Sequence, residues 1–212
     1  MKYVYWDTNC FLALLQREHP NADNVAGVVA MAGKSLMIVT SVFTVTEVVK
    51  YKGKEPGPAR YPISSSERLA LDECLGPSNG VIPVNVDMQV ARMAREAIWD
   101  YGVDPKDAIH VATAMRFRDV RLSKGESLEF HTFDKGLLRK CRQIDMIDFM
   151  APTASLYPYQ PELGIPLDEP GGQVFARHQI ELIHQCLQFL EPRHSNDKQH
   201  GNYHAVDRKS VV

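Results

Sequence analysis

The chain has 212 residues, 44% of them hydrophobic and 24% charged, with a formal net charge of -2. That composition suits a folded globular protein with a sizeable core. It excludes a global positive field, so a nucleic-acid partner would have to be held by a local basic patch.

Four cysteines, Cys10, Cys74, Cys141 and Cys186, are scattered without a Cys-x-x-Cys pair or zinc spacing, and read as reduced thiols. The apolar run at the N-terminus is too short for a signal peptide and is interrupted by Asp7. No stretch approaches the length of a membrane span. The expectation is a cytoplasmic protein with no membrane partner.

In chain order, Tyr3–Trp6 reads as a β-strand that stops at Asp7, followed by a short helix over Asn9–Leu15. Asn21–Gly33 reads as a helix and Leu36–Thr40 as a second strand. Ser41 is placed to cap a helix in which Val42, Val45 and Val49 recur. Lys52–Pro62 is too rich in glycine and proline for regular structure and reads as a loop. Ser64 and Glu67 form a capping box for a helix to about Leu75, and Gly76–Gly80 is a turn. Val81–Val86 is a strand, and Asp87 caps a helix that ends at Gly102. Asp104 followed by Pro105 starts a helix to about Arg118. Leu128–Thr132, Lys135–Arg139 and Met146–Met150 complete the pattern as strand, helix and strand. Such alternation predicts an α/β fold with a mostly parallel sheet over residues 1–150. Residues 151–212 read as an extension: a proline-rich linker over 151–172, an amphipathic helix over about 173–190, and a polar, disordered tail over 193–212.

In an open parallel sheet, sites form beyond the carboxyl ends of the strands. Asp7 follows the first strand and Asp134 follows Leu128–Thr132, so both emerge at one edge. Asp107 lies in the first turn of its helix, which starts at that edge. Glu47 sits on a flank beside Val45, Val48 and Val49, where an acid needs a partner, a proton or a metal. Crowded carboxylates raise each other's pKa, and a hard divalent cation removes that penalty. Such a cation activates water and stabilises charge on a phosphate. Singly, each acid has a plainer explanation: a turn for Asp7, a surface pair with Lys50 for Glu47, a helix-dipole acid for Asp107 and a cap for Asp134.

Four segments resemble one family. VYWDTNCFLALL resembles the opening of a PIN domain, SVFTVTEVVKY its second motif, and FHTFDKGL its last. VDPKDAIHVATAMR resembles the D-A-x-x-x-A-T-A helix of VapC-type toxins, with the motif Asp at Asp107. The resemblance implies a three-layer α/β/α sandwich and an acidic metal centre of Asp7, Glu47, Asp107 and Asp134. It implies Mg²⁺ or Mn²⁺ as cofactor and endonuclease action on RNA. It also implies a toxin role with an antitoxin partner or a stand-alone role, and a homodimer in many members.

Around that centre, Thr8, Asn9 and Thr132 are candidates to orient carboxylates. Lys50, Lys52, Lys54 and Arg60 are candidates to contact substrate phosphate, against a plainer reading as a solvated charged loop. His110, one turn beyond Asp107, reads as a packed or surface histidine. The competing function is a catalytically weak PIN-fold scaffold that binds RNA or protein. A receiver-type phosphorelay domain needs an acid and lysine arrangement that is not in register here.

Overall fold

The computed structural model describes residues 1–15, 20–52, 60–75 and 80–158. The elements run β1 (Lys2–Trp6), α1 (Thr8–Leu15), α2 (Ala22–Met31), β2 (Leu36–Ser41), α3 (Thr44–Glu47), β3 (Lys50–Lys52) and β4 (Arg60–Pro62). They continue with α4 (Ser65–Cys74), β5 (Val81–Val84), α5 (Met88–Tyr101), α6 (Pro105–Arg121), β6 (Leu128–His131), α7 (Lys135–Lys140) and β7 (Ile147–Met150).

Five strands pair in the order β5-β2-β1-β6-β7, and every pairing is parallel. The chain builds outward from β1 through β2 to β5, then crosses back to lay β6 on the other side of β1. That reversal puts a topological switch point between β1 and β6, where crevices form at the carboxyl ends of strands. Asp7 and Asp134 leave these two neighbouring strands.

Side-chain alternation divides the core into two layers. Tyr5, Val39, Leu128 and Phe130 pack with α5, α6 and α7. Val4, Trp6, Leu36 and Ile38 face α1, α2 and α4. The result is the three-layer sandwich with a mostly parallel sheet that the sequence implied.

Local chemistry explains the helix ends. Ser64 and Glu67 close a reciprocal capping box on α4. The Asp87 side chain accepts from the Val90 N–H at the start of α5, and the helix closes at left-handed Gly102, φ 62°. Asp104 stands at the N-cap of α6 with Pro105 in its first turn, although its side chain makes no capping hydrogen bond.

Two expectations are corrected. The helix expected around Glu47 is a single turn, with Val45 and Val49 on the surface and Val48 alone inward. Val49 N–H bonds instead to Glu47 C=O and the chain straightens into β3. The expected loop Lys52–Pro62 is flanked by an antiparallel hairpin, in which Lys50 pairs with Pro62 and Lys52 with Arg60. The turn residues Gly76–Asn79 lie outside the described residues. So do the expected helix over 173–190 and the tail over 193–212.

Candidate acidic site at the switch point

Asp7 is the first residue past β1 and is almost wholly buried. Its Oδ1 accepts the Cys10 N–H at 3.2 Å, and its Oδ2 accepts from Asn9 Nδ2 at 3.3 Å. The nearby Thr132 hydroxyl also favours its charged form. Burial still outweighs these donors and pushes the Asp7 carboxyl above its ordinary value. Its own N–H bonds to the His131 carbonyl across the β1–β6 seam at 3.4 Å.

Asp107 lies in the first turn of α6 and is half-buried. Burial, then the Asp134 and Asp7 carboxylates, push its pKa up to about 6. Both carboxylates therefore lie in the electrostatic neighbourhood of Asp107. Asp134 caps α7, its Oδ1 accepting from Gly136 N–H at 2.6 Å and Leu137 N–H at 3.0 Å. The Thr132 hydroxyl oxygen accepts the Asp134 N–H at 3.0 Å, so one threonine serves two of the acids.

Glu47 is held differently. Its Oε2 receives the Thr8 hydroxyl at 2.7 Å and lies 2.8 Å from His110 Nε2. Its Oε1 is 3.2 Å from the Lys106 ammonium. Burial would raise its pKa, but His110, Thr8 and Lys106 together bring it down to about 2. Glu47 thus stands as a carboxylate already engaged by Lys106, His110 and Thr8, and not by Lys50.

His110 is buried, with Nδ1 3.0 Å from the Tyr5 hydroxyl and Nε2 3.2 Å from the Thr8 hydroxyl. Its place in the site was not apparent in the sequence. The signal was its i, i+3 spacing from Asp107, which puts both on one helix face. Lys106, beside Asp107, is hidden in the sequence because its partner Glu47 comes from α3, and the basic set expected from the sequence is Lys50, Lys52, Lys54 and Arg60 instead. Of that basic set, Lys50 is exposed at the start of β3, while Lys52 and Arg60 are placed by backbone pairing. Lys54 lies outside the described residues.

A half-buried Asp107 with the Asp134 and Asp7 carboxylates close by is the oxygen-rich, charge-frustrated setting that suits a hard divalent cation. Among the described residues, no group of three or more His, Cys, Asp or Glu side chains is spaced to hold a metal ion. The acids fit such an ion in charge and donor type.

The PIN domain family model matches residues 4–142, which span β1 through α7. The chain belongs to the PIN-domain family. Solved structures similar to it include a toxin–antitoxin complex from Klebsiella pneumoniae, 17% identical with a TM-score of 0.44, covering 68% of this chain and 94% of that one. Another is VapBC2 from Rickettsia felis bound to a DNA fragment from its promoter, 15% identical with a TM-score of 0.47, covering 72% and 99%. No curated protein sequence matches the chain. No helix among the described residues of this PIN protein is long and apolar enough to cross a membrane.

Proposed function

We propose that this PIN protein is a Mg²⁺- or Mn²⁺-dependent endoribonuclease acting in the cytoplasm, with Asp7, Glu47, Asp107 and Asp134 as its acidic centre. The observation that best supports this reading is placement: Asp7 and Asp134 follow the parallel neighbours β1 and β6, and Asp107, in the first turn of α6, is close enough for both to raise its carboxyl. A cation would be held chiefly by those three aspartates. Bound there, it would lower the pKa of a water and offset charge on a scissile phosphate.

The chain's own residues do the positioning. Thr132 serves both Asp7 and Asp134. Asn9 and the Cys10 N–H fix the Asp7 carboxylate from the other side. Thr8 and His110 aim Glu47, and Lys106 stands at the exposed mouth of the site, where an RNA phosphate would compete with Glu47 for it. Lys50, Lys52, Lys54 and Arg60 would contact phosphates further along the strand. The catalytic unit is assigned to residues 1–150, with 151–212 as an extension.

In its most specific form the protein is a toxin with an antitoxin partner, a reading that rests on the resemblance of the Asp107 helix to VapC-type toxins. A homodimer belongs to the same proposal. The alternative, a catalytically weak scaffold, draws on one observation: Glu47 is already balanced by Lys106 and His110.

Cleavage of single-stranded RNA in Mn²⁺ or Mg²⁺ tests the proposal, comparing the native chain with Asp7→Asn. Cation-dependent cleavage by the native chain alone is expected. Equal cleavage by both, or none by either, would overturn it. Growth arrest on expression, relieved by a co-expressed neighbouring gene product, would separate a toxin from a stand-alone nuclease.

A further inference from the structure

Strand alternation gives β6 two faces. Leu128 and Phe130 enter one core layer. Glu129 and His131 therefore point to the other, toward the layer that holds Val4 and Trp6. An imidazole with no exposed surface and a carboxylate beside it need partners there.

Those partners come from the two ends of the described chain. The Tyr157 hydroxyl donates to Glu129 Oε2. Lys2 Nζ donates to the Tyr157 oxygen at 2.9 Å and lies 2.6 Å from Glu129 Oε1. His131 Nε2 is 3.1 Å from Glu129 Oε2, and its Nδ1 accepts the Trp6 indole N–H at 3.2 Å. An accepting Nδ1 places the ring hydrogen on Nε2, facing the carboxylate. The Tyr157 ring also packs edge-on against His131, with centroids 5.4 Å apart.

The backbone around Tyr157 is inlaid on α2. A Cβ added at Gly27 would lie 1.8 Å from the Tyr157 carbonyl oxygen, so only glycine admits this approach. Ala154 N–H donates to Asn24 Oδ1 at 3.0 Å, a second tie to the same helix. Tyr157 itself is 3% exposed and belongs to the core. It lies beyond the residues that the family model matches.

His131, which Tyr157 contacts, and Trp6, which bonds to His131, both sit next to the acidic centre in sequence. Trp6 immediately precedes Asp7, and His131 immediately precedes Thr132. The His131 carbonyl accepts the Asp7 N–H and the Cys10 thiol, each at 3.4 Å. We infer that residues 151–158 form a strap, and that Tyr157 is a positioning residue that sets the β1–β6 seam from which Asp7 and Thr132 are presented. Its consequence for cation binding rests on the nuclease reading; its consequence for the seam does not.

The test uses the full chain with Tyr157→Phe, which keeps the ring and removes the hydroxyl, and Gly27→Ala, which displaces the strap. Amide hydrogen exchange should accelerate over residues 4–8 and 129–134 in both, while α5, in the opposite layer, stays at the native rate. Mn²⁺ affinity, measured by calorimetry, should fall about tenfold, the scale of losing an outer partner of a metal ligand. Adding Tyr157→Ala to Gly27→Ala should cost little more than Gly27→Ala alone, because both release the same contact. Native exchange over the seam in both variants would overturn the inference. Faster seam exchange with no Mn²⁺ binding even by the native chain would uphold the strap and overturn the nuclease reading.

Discussion

His110 Nε2 lies 2.8 Å from the same Glu47 oxygen that receives the Thr8 hydroxyl, while His110 Nδ1 meets the Tyr5 hydroxyl at 3.0 Å. One buried imidazole therefore joins the centre of the sheet to an acid at its edge. His110→Ala strips the Tyr5 hydroxyl of this partner in the core, at a cost of about 1–3 kcal/mol of stability in urea unfolding. Tyr5→Phe in the same chain should recover part of the loss. Additive losses from the two substitutions would argue against the link.

Asp107 carries a sign that is easy to test. Burial, Asp134 and Asp7 raise its folded pKa from 3.8 to about 6. The folded state therefore binds this proton more tightly than the unfolded one. The stabilisation is full below pH 3.8 and is lost as pH rises through about 6. Asp107→Asn, free of cation at pH 7.5, should melt above the native chain by scanning calorimetry. Added Mn²⁺ should raise the native melting temperature and leave the variant's unchanged. A lower melting temperature for the cation-free variant would contradict this.

Thr132 serves two acids at once, accepting the Asp134 N–H at 3.0 Å and favouring the charged form of Asp7. Thr132→Val keeps the shape and withdraws the hydroxyl from both acids. Mn²⁺ affinity should fall about 10- to 100-fold, typical for a partner that orients a metal ligand. Unchanged affinity in a calorimetric titration would show that Thr132 serves the turn alone.

Glu129 titrates in the other direction. Burial would raise it, but His131, Lys2 and Tyr157 outweigh that and bring it from 4.5 to about 2. A depressed carboxyl stabilises the fold above its ordinary pKa, and here that contribution fades as pH falls through about 2. In Glu129→Gln, the melting temperature should vary less between pH 4.5 and 2 than in the native chain. Superimposable acid profiles would remove Glu129 from the strap's anchor.

Local chemistry made much of this fold legible. The Asp87 cap, the Ser64–Glu67 box and Asp104–Pro105 each act within one turn of chain, and each starts its helix as expected. The edge that gathers Asp7 and Asp134 followed from strand–helix alternation, because parallel strands present their carboxyl ends together. The valine recurrence around Glu47 misled, since Val45 and Val49 face outward and the helix lasts one turn. His110 and Lys106 were hidden because their partner Glu47 comes from a distant element. Tyr157 was hidden for the same reason more strongly. Its anchor Lys2 is at the other end of the described chain, and Gly27 becomes informative only beside the Tyr157 backbone.

If Asp7, Asp107 and Asp134 form one divalent-cation centre, as proposed, the Asp7 carboxylate is indispensable to it. Calorimetric titration of Mn²⁺ into the metal-free native chain and into Asp7→Asn decides this. Saturable binding by the native chain, lost or severely weakened in the variant with the fold intact, is the expected result. Equal binding by the two chains, or no binding by the native one, would contradict it.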